Sequence, residues 1–219
     1  MDLKFGVLVD YFPQFVSGTQ LTLFFSAGGL LLAVVIGLFA TLGRLSRLRL
    51  LRATSRAYTD LIRGTPLLVQ IFFIYFGLPQ FGLTLSAPEA GVVAMGVNSG
   101  AYVGEIFRGG IQSIDPGQME AARSVGMSYP LAMRRVVLPQ AIRRIIPALT
   151  GEATNLVKGT SLLAVISIGE LTRVAQLITG NTFRPFEAYT GIAVVYFVIN
   201  FALSQASILL ERRLGAAHA

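Results

Sequence analysis

The sequence predicts an all-α integral membrane protein. It has five transmembrane helices in a single domain over 1–219, an N-terminal interfacial helix and a cytoplasmic two-helix elbow. Three observations carry this. Of 219 residues, 53% are hydrophobic and only 13% charged, with mean hydropathy +0.66; a water-soluble domain carries about 25% charged residues. The charges are clustered, and the long apolar runs between clusters need lipid rather than water around them. Basic residues also concentrate in alternate loops, as cytoplasmic connections of membrane proteins do.

The first twenty residues are not a span. Leu3, Phe5, Val7, Leu8, Tyr11, Phe12 and Phe15 mix with charged and polar residues, and Pro13 breaks the run, so 1–20 reads as a helix lying on the outer face. Asp2 and Asp10, with Lys4 as the lone cation, do not make the basic start of a secretory signal. Nothing from Tyr11 to Gly43 is charged, and its apolar core 19–42 is the first span. About 24 helical residues reach about 36 Å, enough for a tilted crossing of a core near 30 Å. The second span is 66–79, opened by Pro66 and closed by Gly77-Leu78-Pro79. The third, 88–107, is glycine-rich and carries Asn98, Ser99, Tyr102 and Glu105; the fourth, 145–168, is interrupted by Glu152 and Lys158; the fifth, 188–210, is uncharged.

Arg44, Arg47, Arg49, Arg52, Arg56 and Arg63 fall in the first connection, Arg108, Arg123, Arg134, Arg135, Arg143 and Arg144 in the third, and Arg212 and Arg213 in the tail. The other side holds only Lys4, Arg173 and Arg184. This bias puts the N-terminus outside and the C-terminus in the cytoplasm. The Arg44–Arg56 cluster reads as attraction to anionic headgroups. The same placement explains the net charge of +7 and pI near 10.2 without nucleic acid as a partner. With no Cys and His218 as the single His, a thiol nucleophile, disulfides, a Cys/His metal site and a Ser–His pair are excluded.

The connection 115–140 is the most orderly stretch. Asp115 is a helix N-cap, with Pro116 at the first helical position and Gln118 three residues after the cap. Gly126 is a natural stop. Ser128 caps a second short helix, with Pro130 in its first turn, that ends before Leu138-Pro139. Two short helices joined by a tight glycine turn make a rigid elbow suited to docking into a groove of another protein.

Glu120-Ala121-Ala122, then Gly126, then Leu138-Pro139 resembles the EAA loop of ABC importer permeases. The polar amino-acid subfamily, of the glutamine and cystine type, is similar further: in Arg63-Gly64-Thr65-Pro66-Leu67-Leu68-Val69-Gln70, in Asn98-Ser99-Gly100-Ala101-Tyr102-Val103-Gly104-Glu105, in Arg108-Gly109-Gly110-Ile111, in Leu138-Pro139-Gln140-Ala141 and in Glu170-Leu171-Thr172-Arg173. The resemblance implies a permease that pairs with a second chain, identical or paralogous. The pair binds two cytoplasmic ATPase subunits through the elbow and receives an amino acid from an extracytoplasmic binding protein, in the plasma (inner) membrane of a bacterium. Glu120, Ala121, Ala122, Gly126, Leu138 and Pro139 are then the ATPase-coupling residues. ATP and Mg belong to the partner ATPase. This chain needs no cofactor and is no enzyme, having no Gly-x-x-x-x-Gly-Lys-Ser/Thr loop.

Charges within a span cost about 2.5–3.5 kcal/mol each on insertion scales, so each asks for a reason. Glu105 and Lys158 either pair or snorkel, or they line a cavity and meet the solute; Glu105, near the cytoplasmic end, fits loop anchoring. Asn98, Tyr102 and Glu105 share one helical face, with Ser99 offset. Together with Lys158, Thr160 and Ser161 they form the candidate substrate path. The subfamily commonly has an acid after the lysine, and here Gly159 stands there, which leans the cargo toward a neutral or acidic amino acid. Glu170 and Arg173 read as a local helix-end ion pair. A gradient-driven carrier or channel is the competing function; it would favour inverted repeats, and none is seen. A membrane hydrolase lacks a paired nucleophile and base.

Overall fold

The computed structural model describes residues 3–213, and every regular element among them is helical. The tail with His218 lies outside the described residues, as do Met1 and Asp2. A four-residue helix α1 (Val7–Asp10) is followed almost at once by α2 (Phe12–Leu45). The expected interfacial helix over 1–20 is therefore corrected: residues from Phe12 onward belong to the long helix. Pro13 sits in its first turn, where a missing N–H costs nothing, instead of breaking it.

The arginine-rich connection is also ordered. It forms α3 (Arg49–Arg63), an amphipathic helix bent by 107° from the segment that follows. That segment, expected as the second span, is not one straight helix. α4 (Leu67–Phe72) passes into a π-helical turn, Phe73–Gly77, and a 3₁₀ turn, Leu78–Phe81, before Gly82 reverses at φ 80°. Ser86 opens α5 (Ala87–Gln112) through a capping box: its N–H donates to the Glu89 carboxylate at 2.8 Å.

Helices α2 and α5 form the tightest pair. In lipid no hydrophobic force separates helix from solvent, so close backbone approach and dispersion must hold them. A Cβ at Gly37 would lie 2.7 Å from Val103 Cγ1, and Thr41 Oγ1 reaches across to donate to Gly104 O at 2.8 Å.

The elbow follows as α6 (Pro116–Ser124) and α7 (Tyr129–Ala132). The second elbow helix does not end before Leu138-Pro139, as the residue types suggest. A π-helical turn, Met133–Val137, carries it straight into α8 (Leu138–Gly159). Pro139 cannot donate to the ladder and its ring crowds the carbonyl four residues back; a widened turn accommodates both. The expected fourth span is broken instead. After α8 the chain tightens into a 3₁₀ stretch, Thr160–Ile166, turns at Ser167, and resumes as α9 (Leu171–Thr182), bent by 49°. α10 (Pro185–Arg213) packs on α8 and α9.

Among the described residues, two helices, Phe12–Leu45 and Pro185–Arg212, are each long and apolar enough to cross a membrane, and the two bent pairs raise the number to four. Three apolar cores hold the bundle. Phe25, Ile71, Met95 and Leu163 fill its middle, while Phe15, Leu171, Ile178 and Ala188 close the end where α2 begins. Ile114, Val137, Ala141 and Ile145 brace the elbow at the other end.

Candidate functional site

The polar residues of α5 divide between two neighbours. Asn98 Nδ2 donates to Gln70 Oε1 at 3.0 Å, and the Gln70 amide in turn donates to Ile62 O at 2.9 Å and Thr65 Oγ1 at 2.8 Å. The Arg63 guanidinium lies 5.3 Å from the Tyr102 ring centroid, within cation–π range. Glu105 takes a forked contact from Arg108, at 2.6 Å to Nη2 and 3.1 Å to Nε, with Arg44 3.6 Å away. This face of α5 therefore staples the bend between α3 and α4 and the adjoining loop end. Glu105 and Lys158 do not pair; Lys158 is exposed and forms no ion pair among the described residues.

Ser99, offset from that stripe, faces α8. Its hydroxyl donates to Glu152 Oε1 at 2.6 Å, both side chains being buried. Glu152, Asn155 and Gly159 follow three-and-four spacing on α8. Beside them Ala148, Gly151, Asn155 and Lys158 form an exposed strip, and a Cβ on Gly151 would meet nothing within 4 Å. An amide, an ammonium group and bare backbone thus share one exposed side of α8, with the buried Glu152 carboxylate on the adjoining face toward α5. Lipid is a poor neighbour for that set, and a water-filled path or a second polar chain is a good one.

Thr160 and Ser161 do not complete this strip. Thr160 is fully buried, donating to Val157 O at 2.8 Å and lying 3.4 Å from the Tyr196 hydroxyl; Ser161 turns back on Lys158 O at 2.8 Å. The expected Glu170–Arg173 side-chain pair is also corrected. Fully buried Glu170 caps α9, accepting the Thr172 and Arg173 N–H groups at 2.9 Å each and the Tyr196 hydroxyl at 2.8 Å, while the Arg173 side chain turns to Gln176. A cap needs its acid at the helix N-terminus, and the sequence-stretch alone does not reveal that a helix starts there.

The elbow's first helix is closed by hydrogen bonds at both ends. The Asp115 side chain accepts Gly117 N–H, starting α6. At its end Met127 N–H bonds to Ala122 O at 3.1 Å and Gly126 N–H to Arg123 O at 3.0 Å, a Schellman closure with Gly126 at φ 86°. Ala122 is buried; Glu120, Ala121 and Gly126 are exposed, and Val125 and Tyr129 project with 76% and 57% of their surface free. Leu138 and Pro139 lie apart from this tip, at the junction into α8, with Pro139 exposed.

Glu152 and Gln70 are functional candidates that sequence reasoning passed over. The signal for Glu152 was present: it is a carboxylate inside an apolar span, the same anomaly that singled out Lys158. For Gln70 there was none, because its role depends on the bend that brings Ile62, Thr65 and Asn98 around it.

Residues 33–216 match the family described as binding-protein-dependent transport system inner membrane component. The chain is 38% identical to a probable amino-acid ABC transporter permease of Bacillus subtilis (strain 168), covering 94% of this chain and 91% of that protein. It is also 38% identical to a probable glutamine ABC transporter permease of the same organism, covering 97% and 98%. A nopaline transport system permease of Agrobacterium fabrum (strain C58 / ATCC 33970) is 38% identical as well, over 96% of this chain and 91% of that one. Among solved structures, an amino acid ABC transporter crystallised with histidines superposes with a TM-score of 0.92 at 45% identity, over 97% of this chain and all of that one. The methionine transporter MetNI, at 18% identity and a TM-score of 0.76, shares the fold. An all-helical membrane bundle, the loop of ordered residue types and full-length similarity to permeases agree: the chain belongs to the binding-protein-dependent inner membrane components, as the non-enzymatic permease subunit of an amino-acid ABC transporter.

Proposed function

We propose that this chain is one half of the translocation path of an ATP-driven importer for a polar amino acid. The observation that carries the proposal is the exposed α8 strip of Gly151, Asn155 and Lys158, with the Glu152 carboxylate buried beside it against Ser99. A zwitterion needs an acceptor for its ammonium group and a donor for its carboxylate, and Glu152 and Lys158 supply one of each. A single chain presents this strip outward and cannot enclose a solute. A second permease chain, identical or paralogous, closes the path across it.

Five crossings result when α2, the segment from Leu67 to Phe81, α5, the broken segment of α8 and α9, and α10 each cross once, with the N-terminus outside and the C-terminus in the cytoplasm. The elbow is then cytoplasmic. Its tip around Val125, Gly126 and Tyr129, with Glu120 on the same helix, enters a groove on an ATPase subunit, two of which bind ATP and Mg for the pair. An extracytoplasmic binding protein delivers the amino acid on the opposite face. Gly159 beside Lys158 leaves the ammonium group without an adjacent acid, which favours a neutral or acidic cargo over a basic one. The relatives named for glutamine support a neutral cargo.

The test is uptake of labelled amino acids into proteoliposomes that contain the permease, its ATPase and its binding protein, with ATP inside the reaction on the ATPase side. ATP-dependent uptake, lost in Gly126→Val with the permease still folded, is the expected result. Uptake that continues without ATP, follows an ion gradient and ignores the elbow change would refute the importer reading.

A further inference from the structure

α3 carries three distinct faces: one packed on the bundle, one exposed and mainly apolar, and one basic. The inner face is satisfied: Thr59 is buried and the Tyr58 hydroxyl donates to Val97 O of α5 at 2.6 Å. A second face, with Leu50, Thr54, Ala57 and Leu61 at helical spacing, is exposed and mainly apolar; Leu50 has 75% and Leu61 66% of its surface free, and the Thr54 hydroxyl turns back to Leu50 O at 3.1 Å. A third carries Arg49, Arg52, Arg56 and Arg63, again at three-and-four spacing, and Arg47 sits in the turn just before the helix.

The charge on this face is not neutralised internally. Arg44 is used by Glu105, Arg63 by the Tyr102 ring and Arg56 by Asp60 at 3.4 Å. Arg52 turns its Nε to Ser46 O at 3.3 Å, which closes the turn without cancelling its charge. Arg47 and Arg49 are exposed and meet no acid among the described residues. Asp60 is the only acidic residue between Arg44 and Arg63.

The bend of 107° turns α3 away from the direction of the spanning segment that follows it, and α2 ends just before it. A helix held across the end of a span, with an apolar face beside a basic one, lies at the boundary between acyl chains and headgroups. We infer that α3 is a binding surface for anionic phospholipid: Leu50 and Leu61 enter the acyl region while Arg47, Arg49 and Arg52 bind the phosphodiester groups of several headgroups. A cytoplasmic protein would match the arginines but would leave the leucines in water. Lipid matches both faces. The inference concerns membrane residence and stands independently of what the permease carries.

The test uses the full chain, solubilised in mild detergent from vesicles of equal phosphatidylglycerol and phosphatidylcholine, with retained lipids counted by native mass spectrometry. The unaltered chain should retain phosphatidylglycerol in excess, and the ratio should fall as salt rises from about 50 to 500 mM, because exposed charges are screened over that range. The triple exchange Arg47→Gln, Arg49→Gln, Arg52→Gln should lower the ratio at least about fivefold, the equivalent of one basic residue near a charged surface. The corresponding triple exchange to Lys should keep it. Equal retention of the two lipids by the unaltered chain, or a ratio indifferent to salt, overturns the inference without any variant having to fold. So does a Gln variant that keeps its phosphatidylglycerol but no longer binds the ATPase in detergent, which would make this face a protein-docking surface.

Discussion

Two helix breaks in this molecule close with the same hydrogen bonds and are built from different materials. At the elbow, Met127 N–H bonds to Ala122 O and Gly126 N–H to Arg123 O. In the fourth span, Ile168 N–H bonds to Leu163 O and Ser167 N–H to Ala164 O, the same spacing in each case. The residue in the left-handed conformation is Gly126 at φ 86° in the first and Ser167 at φ 64° in the second. The elbow uses glycine because nothing else around it holds the turn; a Cβ there would meet no atom within 4 Å, so only the backbone sets the preference. At Ser167 the turn is imposed from outside. Glu170 caps the next helix and Tyr196 of α10 grips Glu170, so a residue that disfavours the conformation is held in it. A break exposed to water is specified locally, and a break inside the bundle is specified by its neighbours.

That contrast is open to direct attack. The largest effect is expected from Glu170→Ala, which orphans the Thr172 and Arg173 N–H groups and the Tyr196 hydroxyl in a dry site. It should cost about 3 kcal/mol or more, at roughly 1–3 kcal/mol per unsatisfied buried group, and lower the melting temperature of the detergent-solubilised chain. Melting unchanged from the parent would mean that water replaces the carboxylate and that the break is not held from outside. Gly126→Val should cost about 2 kcal/mol, from a β-branched side chain in left-handed geometry. Here the damage is local: hydrogen exchange should rise over residues 120–130 while the bundle melts normally. A global drop in melting temperature would show that the elbow is part of the bundle's cooperative unit.

Smaller changes sharpen the comparison. Tyr196→Phe removes the α10 hydroxyl that donates to Glu170 and should cost about 1 kcal/mol; added to Glu170→Ala it should cost almost nothing more, since the two act as one unit. Additive losses in that double variant would separate them. Ser167→Gly should have the smallest effect and the opposite sign, a gain of up to about 1 kcal/mol, from relief of a left-handed non-glycine residue. A loss of stability there would mean that Ser167 contributes through its side chain rather than enduring its conformation.

The same division separates what the residues disclosed from what they hid. Asp115, Pro116 and Gly126 announce α6 because caps, first-turn prolines and left-handed glycines act within a few residues of themselves. Pro139 misled for a related reason. Its local preference is to end a helix, and the π-helical turn before it overrides that preference once Val137 and Ala141 are packed in the core beneath the elbow. The polar stripe Asn98, Tyr102 and Glu105 was legible as one face of α5, and the face it meets was not. It turned out to staple the α3–α4 bend, leaving offset Ser99 to reach Glu152.

The sequence by itself determined the solvent, the helical class, the start and glycine stop of α6 and the family, because each depends on composition, on short-range backbone chemistry or on the order of residue types along the chain. Only the tertiary structure decided where the segments expected as the second and fourth spans break, that the arginine-rich connection is a helix bent away from the segment after it, and that Lys158 lies on an exposed strip of α8 while Glu152 is buried beside it against Ser99. Those outcomes depend on which buried hydrogen bonds can be satisfied by groups far apart in sequence, such as Thr41 with Gly104 and Tyr196 with Glu170. Inside a membrane every polar group must find such a partner or an aqueous cavity, and the partner is chosen by packing.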